Sequence, residues 1–158
     1  MATQTVWDER FMRVANEVGS WSSCWKENRH VGAVIVKNNR ILATGYNGAP
    51  SGVLPCRDRE RCLRDEENIN SGERLEVCYA VHAEQNAIAQ AAKQGLNIDG
   101  ATLYCTHQPC SICAKLAINS GIKRFVYSNS YPDKFTKTLC DQANIELSKI
   151  SYDDYSEN

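Results

Sequence analysis

The sequence predicts an α/β protein: a three-layer α-β-α arrangement, with a mixed sheet of about five strands and helices on both faces. Three observations carry this expectation. An amphipathic helical pattern opens the chain, a β-branched hairpin follows it, and helical and strand patterns alternate after residue 82. A sheet built from a hairpin and then helix-linked strands has both antiparallel and parallel pairs.

Each element has its own signal. Trp7, Phe11, Val14, Ala15 and Val18 recur at helical spacing, which predicts a helix over Trp7–Val18. Ser20 to Arg29 is short and polar and contains Cys24. Val31–Val36 is rich in β-branched residues, Asn38-Asn39 is a turn pair, and Ile41–Thr44 follows, which together read as a hairpin. From Gly45 to Gly52 the chain has three glycines and one proline, expected to end the strand in a loop. Such a loop either lets backbone approach a ligand or is an ordinary surface connection. Pro55–Val77 is highly charged without an apolar period and is expected to form an insertion, near 53–78, with little regular structure.

His82 begins the second half. Ala83, Ala87, Ile88 and Ala91 predict a helix ending near Gly95, and Ala101–Thr106 a strand. Cys110–Ser120 reads as a helix with Ile112, Leu116 and Ala117 inward, stopped by Gly121. Lys123–Tyr127 is a strand, Phe135–Ala143 a helix and Ile145–Leu147 a short last strand. Residues 152–158 are acidic and polar, a tail expected to fray. No repeat or linker divides the chain, so one domain is expected over 1–158.

Composition narrows the function. With 42% hydrophobic and 23% charged residues, the chain falls in the globular class rather than the disordered or fibrous ones. No apolar run is long enough to span a bilayer, and the first residues lack a basic and apolar leader, so a cytoplasmic location is expected. A formal net charge of -1 speaks against a nucleic-acid partner, which calls for a basic excess. Eight cysteines in a chain of this length point to metal ligation rather than a disulfide framework.

The chemistry concentrates in His82-Ala83-Glu84 and Pro109-Cys110-Ser111-Ile112-Cys113. Catalytic zinc takes three protein ligands and leaves a fourth position open. His82, Cys110 and Cys113 supply three, and a Cys-x-x-Cys at a helix start turns both sulfurs toward one ion. Glu84 then lies beside the ion, placed to move protons for a water whose pKa zinc lowers to roughly 7. A Cys-x-x-Cys alone is also a redox pair or half of a structural site. Joined to His-x-Glu in this order, it reads as a hydrolytic zinc centre.

The pattern H-x-E…P-C-x-x-C is a known signature of zinc nucleobase deaminases. The wider sequence resembles the deoxycytidylate (dCMP) deaminases: Val31–Val36, the Gly45–Gly52 loop and His82-Ala83-Glu84-Gln85-Asn86-Ala87-Ile88 carry the likeness, from about Trp7 to Leu147. The resemblance implies a cytidine-deaminase-like fold and hydrolysis of dCMP to dUMP and ammonia. It also implies a homohexamer activated by dCTP with Mg2+ and inhibited by dTTP. Carried onto this sequence, it makes Glu84 the proton shuttle and Asn47, Tyr131 and Ala83 substrate-binding residues. For Tyr131 the alternative is a half-buried aromatic in a loop. Lys26, Arg29 and Lys134 are candidates for the 5′-phosphate, and Gly45, Tyr46 and Gly48 for the effector.

The remaining cysteines divide. Cys24, Cys56, Cys62 and Cys78 surround the charged insertion; the resemblance implies a second, structural zinc there, with His30 as the substitute for Cys62. Four partly buried free thiols are the alternative. Cys105 and Cys140 are expected as small core residues, and His107 either as a loop residue or as a ligand. Competing functions are a free-base, nucleoside or tRNA-adenosine deaminase, and a non-catalytic zinc or nucleotide-binding protein.

Overall fold

A computed structural model describes residues 1–151; the tail expected to fray lies outside the described residues. Helix α1 (Gln4–Gly19) starts at Thr3, whose Oγ1 accepts the Val6 N–H at 3.4 Å. Its buried side, Phe11, Met12, Ala15 and Val18, repeats at three- and four-residue intervals and lies on one face of the sheet.

Strands β1 (Gly32–Lys37) and β2 (Arg40–Tyr46) form the expected hairpin, and Asn38 and Asn39 both take the left-handed conformation at φ 52 and 57°. That pair of dihedrals is what a tight two-residue turn needs, and asparagine tolerates it. β2 runs further than expected, through Gly45 and Tyr46, which pair with Ala33 and Gly32. A Cβ at Gly45 would lie 2.2 Å from the Ala83 carbonyl oxygen, so this glycine serves close packing on the next helix rather than a turn.

Two one-turn helices, α2 (Cys56–Arg59) and α3 (Leu63–Glu66), interrupt the charged insertion, which is otherwise irregular as expected. Then follow α4 (Ala83–Lys93), β3 (Thr102–His107), α5 (Ser111–Asn119), β4 (Arg124–Asn129), α6 (Phe135–Ala143) and β5 (Glu146–Lys149). The sheet order is β2-β1-β3-β4-β5. β1 is antiparallel to both neighbours, and β3, β4 and β5 are parallel.

Strand residues alternate between two cores. Ala33, Ile35, Leu103, Cys105 and Phe125 face α4, α5 and α6, whereas Val34, Val36, Tyr104 and Val126 face α1. This is the three-layer arrangement that the alternation predicts, with Cys105 and Cys140 fully buried in the first core.

One inward assignment is corrected. Ile112 and Leu116 are 49% and 40% exposed, while Cys113, Ala114 and Ala117 are fully buried. Cys113 must face its partner donors, and that requirement fixes the rotation of α5. The stripe through Ile112 and Leu116 is thereby turned outward. Among the described residues, no helix is long and apolar enough to cross a membrane.

Candidate active site

Two helix starts converge. His82 is the N-cap of α4, and its backbone N–H is held by Gln85 Oε1 at 3.1 Å. Cys110 is the N-cap of α5, and its sulfur accepts the Cys113 N–H at 3.4 Å. Helix ends concentrate unpaired N–H groups and partial positive charge, which favours thiolate there. Asp133 steadies α5 from outside, accepting the Ser111 N–H at 2.7 Å while its other oxygen accepts the Phe135 N–H at 3.0 Å.

The His82 Nδ1 stands 3.5 Å from Cys110 Sγ and 3.3 Å from Cys113 Sγ. Tetrahedral zinc, with bonds of about 2.3 Å to sulfur and about 2.0 Å to nitrogen, separates such donors by about 3.6 Å. The donor set therefore fits the ion in both type and spacing. Among the described residues these three form the group whose donor atoms all lie within 4.8 Å of one another. The two thiols lie within hydrogen-bonding range of His82 Nδ1. Cys113, opposed by burial and helped by His82, pulls Cys110 down to about 4, and Cys113 is itself pushed up.

Glu84 occupies the first turn of α4 and is 4% exposed. Burial pushes its carboxyl above the usual range, more strongly than His82 pulls it down, and the Cys105 thiol hydrogen-bonds it. A buried carboxyl next to a metal triad, but not part of it, is suited to moving protons.

Glu84, His82 and Cys110 line a cavity of ≈ 350 Å³, with Cys113 buried behind them. Ala83, Asn47 and Tyr131 also line it. The Asn47 side chain is oriented by backbone: Oδ1 accepts the Val31 N–H and Nδ2 donates to the Arg29 carbonyl, both at 2.8 Å. Lys26 and Arg29 also line the cavity, Lys26 ion-paired with Asp65 and Arg29 donating to Ser71 Oγ at 3.0 Å. Lys134 is the N-cap of α6 and is not in the lining. Gly45, Tyr46 and Gly48 stand outside it too; Tyr46 accepts the Asn86 side-chain amide at 2.7 Å, and Gly48 bridges to Val81. His107 closes β3 and lines the cavity without joining the donor triad.

Cys24, Cys62 and Cys78 border the same cavity, with Cys56 buried nearby. Burial first, and then the neighbouring thiols, raise Cys24 and Cys56. Among the described residues these thiols are neighbours, yet no three of them gather as tightly as the triad does. His30 does not join them through its ring; its Nε2 lies 3.3 Å from the Cys24 carbonyl oxygen.

Residues 5–129 match the cytidine and deoxycytidylate deaminase zinc-binding region. The chain belongs to the zinc-dependent dCMP deaminase family. A deoxycytidylate deaminase of Mycobacterium phage D29 is 42% identical over 125 residues, covering 77% of this chain and 93% of the phage protein. One of Schizosaccharomyces pombe is 38% identical over 142 residues, 89% of this chain; the chain spans only 43% of that relative's length. The crystal structure of cyanophage S-TIM5 dCMP deaminase in complex with dCMP and dUMP has a TM-score of 0.77 at 32% identity, covering 95% of this chain and 100% of that one.

In this family member, sequence reasoning missed Asp133 and Arg64. Asp133 had a readable signal, an aspartate two residues before a helical pattern. Arg64 had none: it sits in a charged run, and its partners are backbone carbonyls.

Proposed function

We propose that the protein hydrolyses dCMP to dUMP and ammonia. The observation that carries this reading is the buried Glu84 beside the donor group His82, Cys110 and Cys113, with Glu84, His82 and Cys110 lining a cavity that Lys26, Arg29 and Arg64 also line. At ≈ 350 Å³ the cavity is at the small end of ligand sites, which run from about 300 to 1,000 Å³. The complex of the S-TIM5 relative with dCMP and dUMP supports the same substrate. When bound, zinc supplies an acidified water at neutral pH.

The chain's own residues handle binding and protons. Asn47, Tyr131 and the backbone at Ala83 position the sugar and ring, with Lys26 and Arg29 toward the 5′-phosphate. Glu84 accepts a proton as water oxygen attacks C4 and delivers it to ring N3. It then carries the second water proton to the amino group, the C4–N bond breaks, and ammonia leaves. Water and dCMP are consumed, and dUMP and ammonia are formed.

The finer features belong to the same proposal: one domain, a cytoplasmic homohexamer, activation by dCTP with Mg2+ and inhibition by dTTP, with effector contacts from Gly45, Tyr46 and Gly48. Exposed Trp21 and Trp25, at 55% and 46%, suit an assembly surface. A second zinc is assigned to Cys24, Cys56, Cys62 and Cys78, which must draw closer to close around it. Substitution Cys56→Ser is expected to lower bound zinc from two to one per chain, read by elemental analysis; unchanged zinc content contradicts that site. Ammonia release from dCMP, cytidine, cytosine and an adenosine-bearing tRNA stem-loop tests the substrate. Preference for dCMP is expected, and turnover of only the base or the stem-loop overturns it.

A further inference from the structure

The charged insertion is not a peripheral loop. Arg64, Ile69, Ser71, Gly72 and Leu75 line the same cavity as Glu84, His82 and Cys110. Residues 62–80 thus form its outer wall. The wall is not held by a core, since none of its residues is buried. Between Cys62 and Cys78, the thiols assigned above to a second zinc, polar ties hold it. Arg64 donates to the carbonyls of Asn70 and Glu73 at 2.6 Å and of Arg74 at 2.7 Å, gathering the far end of the segment onto one guanidinium. Three carbonyls on one cation are strong, charge-assisted bonds. They hold a bend in which Arg74 takes an unfavourable positive φ of 41°.

Two further ties fasten the wall to the opposite side: Lys26 to Asp65, and Arg29 to Ser71. The tip is seated on a third side. A Cβ at Gly72, where φ is 83°, would lie 3.6 Å from Pro132 Cγ and 3.8 Å from the Tyr131 hydroxyl. The wall therefore closes over the site from Lys26 and Arg29 across to Tyr131. A segment fastened by exposed polar ties opens at low free-energy cost compared with the sheet.

We propose that residues 62–80 are a roof that restricts this deaminase to mononucleotides, and that Arg64 is the positioning residue that keeps the roof in shape. The roof is tied to Lys26 and Arg29, the cations assigned above to the 5′-phosphate, so it covers the end of the nucleotide from which a strand would continue; a single nucleotide is enclosed and a longer strand is refused. This inference rests on the dCMP reading above and deepens it.

The test compares wild type, Arg64→Ala and Gly72→Ala on dCMP and on a cytosine-containing deoxytrinucleotide. The Gly72 change strains only the exposed tip, which covers the case in which Arg64→Ala fails to fold. Wild type is expected to deaminate dCMP and refuse the trinucleotide. In either folded variant KM for dCMP is expected to rise about tenfold with kcat falling less than about twofold, a loss of binding rather than of chemistry. Zinc content stays at the wild-type value, the trinucleotide becomes a substrate, and amide hydrogen exchange over residues 62–80 quickens. Unchanged KM and continued refusal of the trinucleotide, in variants whose wild-type parent turns over dCMP, overturn the roof alone. A wild type that ignores dCMP overturns the substrate reading beneath it.

Discussion

Glu84 is two residues from a zinc ligand, yet it contributes no donor atom to the triad. Among the described residues it forms no salt bridge, and a buried carboxyl so placed is disfavoured by stability alone but suited to proton transfer. Glu84→Gln keeps the shape and removes the proton shuttle. The expected result is a kcat lower by about 10²- to 10⁴-fold with zinc still bound, measured by steady-state kinetics and elemental analysis on one preparation. Retained activity would return Glu84 to a structural role. This residue was legible because His-x-Glu is a local spacing, and a helix start converts local spacing into geometry. Arg64 was not legible: its partners lie six to ten residues away in a stretch without period, and backbone carbonyls leave no trace in sequence.

Elements were legible where period decided them and misread where the site did. Every predicted helix and strand is present, because alternation in the strands and three-to-four spacing in the helices follow from burial on one or two faces. For α5, apolarity pointed Ile112 and Leu116 inward, but the rotation is set by Cys113 meeting His82. Chemistry overrode the hydrophobic pattern there. Gly45 shows the opposite confusion, a glycine taken as a strand breaker that is instead a contact point between β2 and α4. Gly45→Ala would place its Cβ 2.4 Å from the Ala87 nitrogen and push α4, with His82 and Glu84, off the sheet. A destabilisation of about 1–3 kcal/mol is expected in denaturant titration, together with weakened zinc retention. Wild-type stability would show that the two elements part without cost.

At the scale of the whole molecule, a partly buried ion pair fastens the first helix to the sheet. Arg124 grips both Asp8 oxygens at 2.7 and 2.8 Å, and the Tyr104 hydroxyl donates to the same carboxylate at 2.7 Å. The pair links α1 to β3 and β4, and Arg124 Nε reaches Glu146 of β5 at 2.9 Å. Its partners are 116 residues apart, so no sequence pattern announces it. Burial alone would raise Asp8, but hydrogen bonds from Arg124, Tyr104 and Gln4 outweigh it and hold the carboxyl below its usual range. A depressed carboxyl stabilises the fold above its unfolded pKa, about 3.9, and that contribution is lost as pH falls through the folded value. Asp8→Asn is therefore expected to cost about 1.5–3 kcal/mol at pH 7, with the gap from wild type narrowing in acid. Denaturant midpoints at pH 7 and pH 3.5 measure it, and a constant gap would contradict the assignment. The central claim concerns the floor of the cavity, and one measurement meets it directly: dCMP turnover before zinc is stripped, after stripping, and after zinc is returned. Equal yields of dUMP and ammonia that vanish with the metal and come back with it are the predicted result. Deamination that persists in metal-free protein, or none from zinc-loaded protein, would contradict the account.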